Sequence, residues 1–405
     1  MKKKKYLAWI FTGKSLNKTF TFHFFLINKL CENFEKIYFI NMNKFKLFTD
    51  WHTYEGEFRY ELYNIFKVPR NIEIICPRNI KDFEDFIFDK EIIAINNIGR
   101  FFSDLKIHFL LAKYRIKQIQ IHNGGFFNTN LKLENSFWAN LKYKLHKNFS
   151  HKLIVLLSNL KLVPKIQIKF TSSTEIIEMI KNSFIKNILY NLKLFYAKEL
   201  VPINSNSFDI FKNIKMEIKE EKIVLLVVNF IHPELIAISG NPDKKKITKH
   251  YYYLNKLINN LSAMYKKEIV ICIHPSDNLE NKKKYFPNLN VVQYESRENI
   301  YKAFLVLFFD TSAIVDAILL KKRILCLISN FAPENTANLG LDFVNRAGLL
   351  KINIEEEIKI NKDKFLSKLD NAKDNYSNYI KFYITPDGNN LGYEKIIRIL
   401  KERFF

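Results

Sequence analysis

EIVICIHPSD, residues 268–277, is the stretch on which the fold turns. Ile269 to Ile273 form an unbroken apolar run of strand length. A half-exposed strand alternates apolar and polar residues, so a run without alternation is buried on both faces. Strands of that kind belong to parallel sheets covered by helices. The run stops at His274 and Pro275, with Ser276 and Asp277 behind them. Open parallel sheets take their ligands outside the carboxyl ends of the strands. His274 therefore has two readings, a surface histidine in a turn or a donor aimed at a ligand.

The same pattern repeats in both directions from this stretch. YLAWIF (6–11), KIYFIN (36–41), IEIICP (72–77), EIIAIN (91–96) and IKQIQIH (116–122) are strand runs, separated by helical spacing through 20–34 and around 101–114. A second series holds KIVLLVVNF (222–230), EIVICIHP, NVVQYE (290–295), LVLFFD (305–310) and RILCLI (323–328). Its helices fall in HYYYLNKLINNLSAMYKK, which the basic DKKKITK leads into, at 298–304, at 312–320 and at the C-terminus. Residues 196–220, rich in Pro, Asn and Ser before a charge run, read as a connection. A chain of 405 residues is too long for one ordinary core. The expected fold is α/β, with two Rossmann-like βαβ domains, 1–205 and 206–405, facing across a cleft.

Hydrophobic residues make up 48% of the chain and aromatics 15%, which excludes a disordered class. The formal charge is +23. Residues 1–200 hold 33 Lys and Arg against 17 Asp and Glu; the remainder holds 31 against 24. Such a field attracts phosphorylated substrates, anionic lipid or nucleic acid. The basic residues are scattered over both halves with no RRM, zinc-finger or helix-turn-helix pattern, so no nucleic-acid partner is expected. Residues 135–163 carry apolar residues at helical spacing with Lys and His between them. That is either a helix pair packed on the domain or a segment lying on an anionic membrane surface. Cys31, Cys76, Cys272 and Cys326 lie far apart without metal-site spacing, and buried free thiols fit a reducing compartment. No run reaches the roughly 20 apolar residues of a membrane span, and MKKKKYLAWIFTG reads as a first strand behind a lysine tail. The expected location is cytoplasmic, peripheral at the inner membrane.

In FLVLFFDTSAIVDAILL a strand stops at Asp310, Thr311 and Ser312 follow, and an apolar helix begins. A helix start offers free N–H groups, and hydroxyls add donors, so this is a plain helix cap or a phosphate cradle. A strand ending in His-Pro, a further strand, and then strand–DTSA–helix together resemble the C-terminal domain of GT-B glycosyltransferases. The likeness is to bacterial enzymes of capsule and surface-carbohydrate synthesis, among them CDP-glycerol glycerophosphotransferases and CMP-sugar-using polysialyltransferases. The resemblance implies that His274, Thr311 and Ser312 contact the phosphates of a nucleotide donor. It also implies that IQIHNGGFFNTNLK (119–132) lies on the acceptor side. His122 in that segment is the candidate general base, since imidazole titrates near neutrality; a structural turn histidine is the alternative, and Glu55, Glu57 or Asp104 are the substitutes. HNGG in place of HG, and DTSA in place of DYSS, depart from the glycerophosphotransferase pattern. Lys14, in the loop after the first strand, is a further candidate for donor phosphate or acceptor. A second His-Pro stands at His232–Pro233.

No DxD triplet stands at a strand end, so neither a metal nor another cofactor is expected. The expected activity is transfer of a sugar from a nucleotide-activated donor, of CMP or CDP type ahead of others, to a growing glycan or glycolipid acceptor. The alternatives are a nucleotide-sugar 2-epimerase of the same fold, a glycerophosphotransferase, or a basic nucleic-acid-binding protein.

Overall fold

The computed structural model describes residues 5–11, 16–42, 69–98, 104–124, 152–191, 197–215, 217–227, 243–274, 277–332, 334–356 and 361–405. Two compact units divide the chain. One comprises Met1–Gly125, Leu141–Asp209 and Thr385–Phe405, and the other Phe126–Asn140 and Ile210–Ile384.

The first unit is built on a seven-stranded sheet in the order β3-β2-β1-β4-β5-β6-β7. Its strands are β1 (Lys5–Phe11), β2 (Ile37–Asn41), β3 (Ile72–Ile75), β4 (Glu91–Asn97), β5 (Lys117–His122), β6 (Ile166–Thr171) and β7 (Ala197–Pro202). Every pairing is parallel. The helices are α1 (Leu16–Asn33), α2 (Ile80–Phe88), α3 (Leu105–Lys113), α4 (Glu175–Lys181) and α5 (Phe184–Asn191), with residues 152–159 also helical, and α6 (Asn206–Asn213) begins here and runs past the unit boundary at Asp209. The unbroken apolar strands serve two cores. Leu7, Trp9 and Phe11 of β1 meet Leu26, Ile27 and Leu30 of α1 on one face. Ala8 and Ile10 meet Phe83 and Ile87 of α2 and Leu110 and Leu111 of α3 on the other.

The second unit holds a six-stranded parallel sheet in the order β10-β9-β8-β11-β12-β13. Its strands are β8 (Lys222–Leu226), β9 (Glu268–Ile273), β10 (Asn290–Gln293), β11 (Ala303–Phe308), β12 (Arg323–Ile328) and β13 (Leu350–Asn353). Its helices include α7 (Lys244–Tyr265), α8 (Leu279–Lys283), α9 (Ser296–Tyr301), α10 (Ile314–Leu319), α11 (Glu334–Ala347) and α12 (Lys362–Ala372). Leu254, Leu257, Ile258 and Leu261 of α7 pack on Ile223, Leu225, Ile269 and Ile271.

Four departures from the sequence reading have plain causes. The connection at 196–220 contains β7 and α6. β7 is an edge strand whose Lys198, Glu199 and Pro202 conceal it, edges being where strands tolerate charge and proline. The helix expected over HYYYLNKLINNLSAMYKK is present but starts earlier: DKKKITK is its N-cap and opening turns, with Asp243 accepting from the Lys245 N–H at 2.8 Å. β11 lies two residues earlier than its apolar run suggested, leaving Phe309 and Asp310 beyond the strand. Cys76 stands exposed just past β3, whereas Cys272 and Cys326 are buried and burial pushes both thiols up to about 12.

The largest departure is the final helix, α13 (Gly392–Phe404), which belongs to the first unit although sequence order places it in the second. Ile396, Ile399, Leu400 and Phe404 join the α1 face of the first sheet. The segment is fastened by two buried side chains. Asn204 Nδ2 donates to the carbonyls of Gly388 (2.7 Å) and Asn390 (2.6 Å), and its Oδ1 accepts from the Asp387 N–H at 2.9 Å. The Asp209 carboxylate accepts from the first N–H groups of α13, Gly392 at 2.7 Å and Tyr393 at 3.0 Å. A Cβ on Gly392 would stand 2.5 Å from the Asn204 carbonyl oxygen, so only glycine admits this approach.

Candidate functional site

Chain order reverses between β8 and β11, and in open sheets that reversal opens the ligand crevice. Leu226 of β8 is level with Cys272 of β9 and with Phe308 of β11. His274 and Asp310, each two residues further on, therefore stand at the same height on the strands flanking β8. Strands lie about 4.8 Å apart, so roughly 10 Å separates the two chain paths. Thr311 and Ser312 continue from the second of them. His274 and Ser312 are exposed, and Asp310 and Thr311 are half-buried.

Each arm of this edge is locally ordered. The His274 carbonyl accepts from the Asp277 N–H at 2.9 Å, and the Asp277 carbonyl accepts from Gln293 Nε2 at 2.8 Å. On the other arm Thr311 Oγ1 accepts from the Ala313 N–H at 3.2 Å, while the N–H groups of Val315 and Asp316 bond the carbonyls of Ser312 and Ala313. The N–H groups that were to face a phosphate thus bond within the turn, and α10 begins only at Ile314. What this arm turns outward is the exposed Ser312. Burial pushes the Asp310 carboxyl up to about 7. Behind the arm, Arg297 Nε donates to Asp316 at 2.9 Å, tying α9 to α10. A Cβ on Gly340 of α11 would stand 2.3 Å from the Phe309 carbonyl, so glycine there lets α11 close on the residue before Asp310.

At the carboxyl edge of the first sheet, His122 ends β5 and is half-buried. Its carbonyl accepts from the Ser172 N–H at 2.8 Å, and the Asn123 carbonyl accepts from the Asn206 N–H at 2.8 Å. Around them Asn123, Thr171, Ser172, Ser173, Asn204 and Ser205 are all buried. Asp104 is buried ahead of α3. Lys14, Glu55, Glu57, His232, Pro233 and residues 135–151 lie outside the described residues, as do Pro275 and Ser276.

The described end of the 135–163 segment buries Ile154 but leaves Leu156, Leu160 and Leu162 more than half exposed. On α5, Phe184 is 81% exposed and Ile185 69%. β5→β6 and β6→β7 are successive crossovers in one direction, so their right-handedness sets residues 152–159 and α4–α5 side by side on the α3 face. Lys152, Lys161, Lys181 and Lys186 punctuate these segments. Among the described residues no helix is long and apolar enough to cross a membrane, and no cluster of three His, Cys, Asp or Glu could hold a metal.

Sequence reasoning missed the groups beneath the His274 arm. Asp277 and Lys282 are buried, with Lys282 Nζ 3.8 Å from Asp277 Oδ2 and 2.8 Å from Tyr251 Oη. The only signal in the sequence was Asp277 inside the HPSD stretch itself.

No family model matches the chain, and no curated protein matches it. Solved structures do. Phytolacca americana UGT2, complexed with UDP-2fluoro-glucose and pterostilbene, aligns over 100% of both chains with a TM-score of 0.56 at 7% identity. A UDP-N-acetylglucosamine 2-epimerase aligns over 100% of this chain and 98% of its own, with a TM-score of 0.53 at 11% identity. The wall teichoic acid polymerase TagF, an H444N variant soaked with CDPG, covers 98% of this chain and 88% of its own, with a TM-score of 0.51 at 10% identity. The chain has the two-domain α/β fold of these proteins, GT-B.

Proposed function

We propose that this protein is a glycosyltransferase that moves a sugar from a nucleotide-activated donor to a growing, lipid-linked surface glycan. The observation that carries the proposal is the register of the second sheet. It brings the exposed His274 and the Asp310–Ser312 turn level with one another on either side of β8, at the reversal of strand order. In this role His274 and Ser312, with Thr311 behind them, bind the donor phosphates, and the imidazole donates to the oxygen on which charge builds as the sugar departs. A donor of CMP or CDP type is favoured by the resemblance to the glycerophosphotransferases and polysialyltransferases, and Lys14 is assigned to phosphate or acceptor. His122, at a strand end of the first sheet, takes the acceptor proton. The apolar, lysine-flanked face that includes the end of 135–163 rests on an anionic membrane at the cytoplasmic side, where a lipid-linked acceptor is found.

Thermal-shift screening against CMP, CDP, UDP, GDP and dTDP tests the donor, because a ligand that binds only the folded state raises the Tm. One nucleotide should stand out, and a flat response to all five contradicts the proposal. Vesicles containing phosphatidylglycerol should pellet the protein at low salt and release it at high salt. Equal pelleting with neutral vesicles contradicts the electrostatic attachment.

A second reading, a nucleotide-sugar 2-epimerase, is favoured by the similar epimerase structure and by the Asp310 carboxyl, poised near neutrality on the same edge as His274. Incubation with a nucleotide sugar alone separates the two, since an epimerase inverts the sugar without an acceptor.

A further inference from the structure

The two arms of the second sheet's edge are loops beyond strand ends, and loops of that kind wander unless something fixes them. Two adjacent residues of α7 touch what lies behind both. Tyr251 Oη accepts from Lys282 Nζ at 2.8 Å, and that ammonium lies 3.8 Å from Asp277 Oδ2. Both side chains are sealed from solvent, Lys282 at 7% exposure and Asp277 at 0%. Among the described residues neither Asp277 carboxylate oxygen has a hydrogen bond, so the ammonium is its compensation. Asp277 in turn holds the His274 carbonyl through its own N–H. The Tyr251 ring is wedged by Tyr285, stacked at 4.1 Å, and by Phe286, edge-on at 5.4 Å. One residue back, the His250 ring lies 5.1 Å from that of Phe309, the neighbour of Asp310. His250–Tyr251 is thus a bracket with one end under each arm.

A buried ion pair is weak support for stability, because desolvating two charges offsets most of their attraction. It does impose geometry, since either charge left alone in the interior is costly. We propose that Tyr251, Lys282 and Asp277 are positioning residues that hold His274 at the spacing from the Asp310–Ser312 turn that a donor's phosphates require. This rests on the reading that the edge binds those phosphates. The three side chains never touch the ligand: they act through the His274–Asp277 bond, so that loosening them weakens affinity as well as stability.

The test is calorimetric titration of the full chain with UDP, CDP and CMP, using Tyr251→Phe, Lys282→Met, Lys282→Arg and, as a stability control, Leu261→Ala. Leu261 is buried on the same helix, ten residues beyond Tyr251. Tyr251→Phe and Lys282→Met should each weaken the tightest nucleotide by about tenfold, the scale of a lost hydrogen bond to a charged group. Lys282→Arg should restore affinity to within about threefold. Leu261→Ala should lower the Tm at least as much and leave affinity unchanged. Amide exchange in the free protein supplies a readout that needs no nucleotide: peptides covering 274–278 should exchange faster in Tyr251→Phe. Variants that lose Tm but keep wild-type affinity overturn the positioning role. If peptide exchange quickens while the wild type binds none of the three nucleotides, the bracket exists but the phosphate reading fails, and the positioning role falls with it.

Discussion

At the carboxyl edge of the second sheet His274 and Ser312 stand exposed, whereas at that of the first sheet the described residues just beyond β5, β6 and β7 lie in a buried polar network. Both sheets are parallel and both reverse their strand order, so topology alone gives each an equal claim to a ligand. What distinguishes them is how the backbone groups beyond the strands are satisfied. Around His122 they bond to one another through Ser172 and Asn206, and a little further on the C-terminal segment is clasped by Asn204 and Asp209. Around His274 the bonding stays below the surface, and side chains are left facing outward. The first edge turns its backbone bonds inward; the second does so and also presents exposed side chains, which is why the anion is assigned to it.

The sharpest challenge to this contrast is His122, the one candidate for chemistry on the clasped edge. His122→Ala should reduce transfer by about 10³-fold, within the range of a lost general base, with nucleotide affinity within about threefold of wild type. Weakened nucleotide binding with turnover spared at saturating donor would move the base elsewhere.

The clasp itself should reveal a structural role. Asn204→Ala removes three hydrogen bonds to the Asp387–Asn390 turn and, at about 1 kcal/mol each, should cost about 3 kcal/mol, lowering the Tm by roughly 6 to 12 °C. Nucleotide affinity should not move. If it does, the two edges are not independent in the way their hydrogen bonds indicate.

Gly340→Ala pushes from the opposite direction. Its methyl group would meet the Phe309 carbonyl, so the Asp310 arm must shift, with about 1 to 3 kcal/mol lost in overpacking. Calorimetry should show weaker nucleotide binding as well, an effect that Asn204→Ala lacks.

The smallest effect is a pH dependence. Burial raises the folded-state Asp310 pKa from 3.8 to about 7, so the folded protein holds this proton more tightly than the unfolded chain. Its contribution to stability is therefore full below about pH 4 and is lost as pH rises to 7. Above 7 the ionised carboxylate also repels a phosphate at the same edge. Nucleotide affinity should fall more steeply between pH 6.5 and 8 in the wild type than in Asp310→Asn, by a further few-fold, roughly the size of one screened charge pair. Parallel pH profiles in the two proteins would remove Asp310 from the site.

Legibility in the sequence follows the same division. Strands buried on both faces declared themselves as apolar runs, and β1, β2, β4, β8, β9 and β12 lie where those runs stand. β6 and β7 went unseen because strands nearer an edge alternate or carry charge, as Gln167, Lys169, Lys198 and Glu199 do. His274 and Ser312 were visible because polar residues interrupt apolar runs at strand ends. The clasp joins Asn204 to Gly388 across 184 residues, and the bracket joins Tyr251 to Lys282 across 31. Neither separation carries a local signal, and only the folded chain brings those partners together.

The central claim is that the second sheet's edge, at His274, binds the phosphates of a nucleotide. Calorimetric titration of wild type and His274→Ala with whichever nucleotide most raises the wild-type Tm tests it directly. His274 is exposed, so the substitution should leave the Tm unchanged. The account predicts affinity at least tenfold weaker in the variant, as expected when a phosphate loses one directed donor. Equal affinity in the two proteins would contradict it.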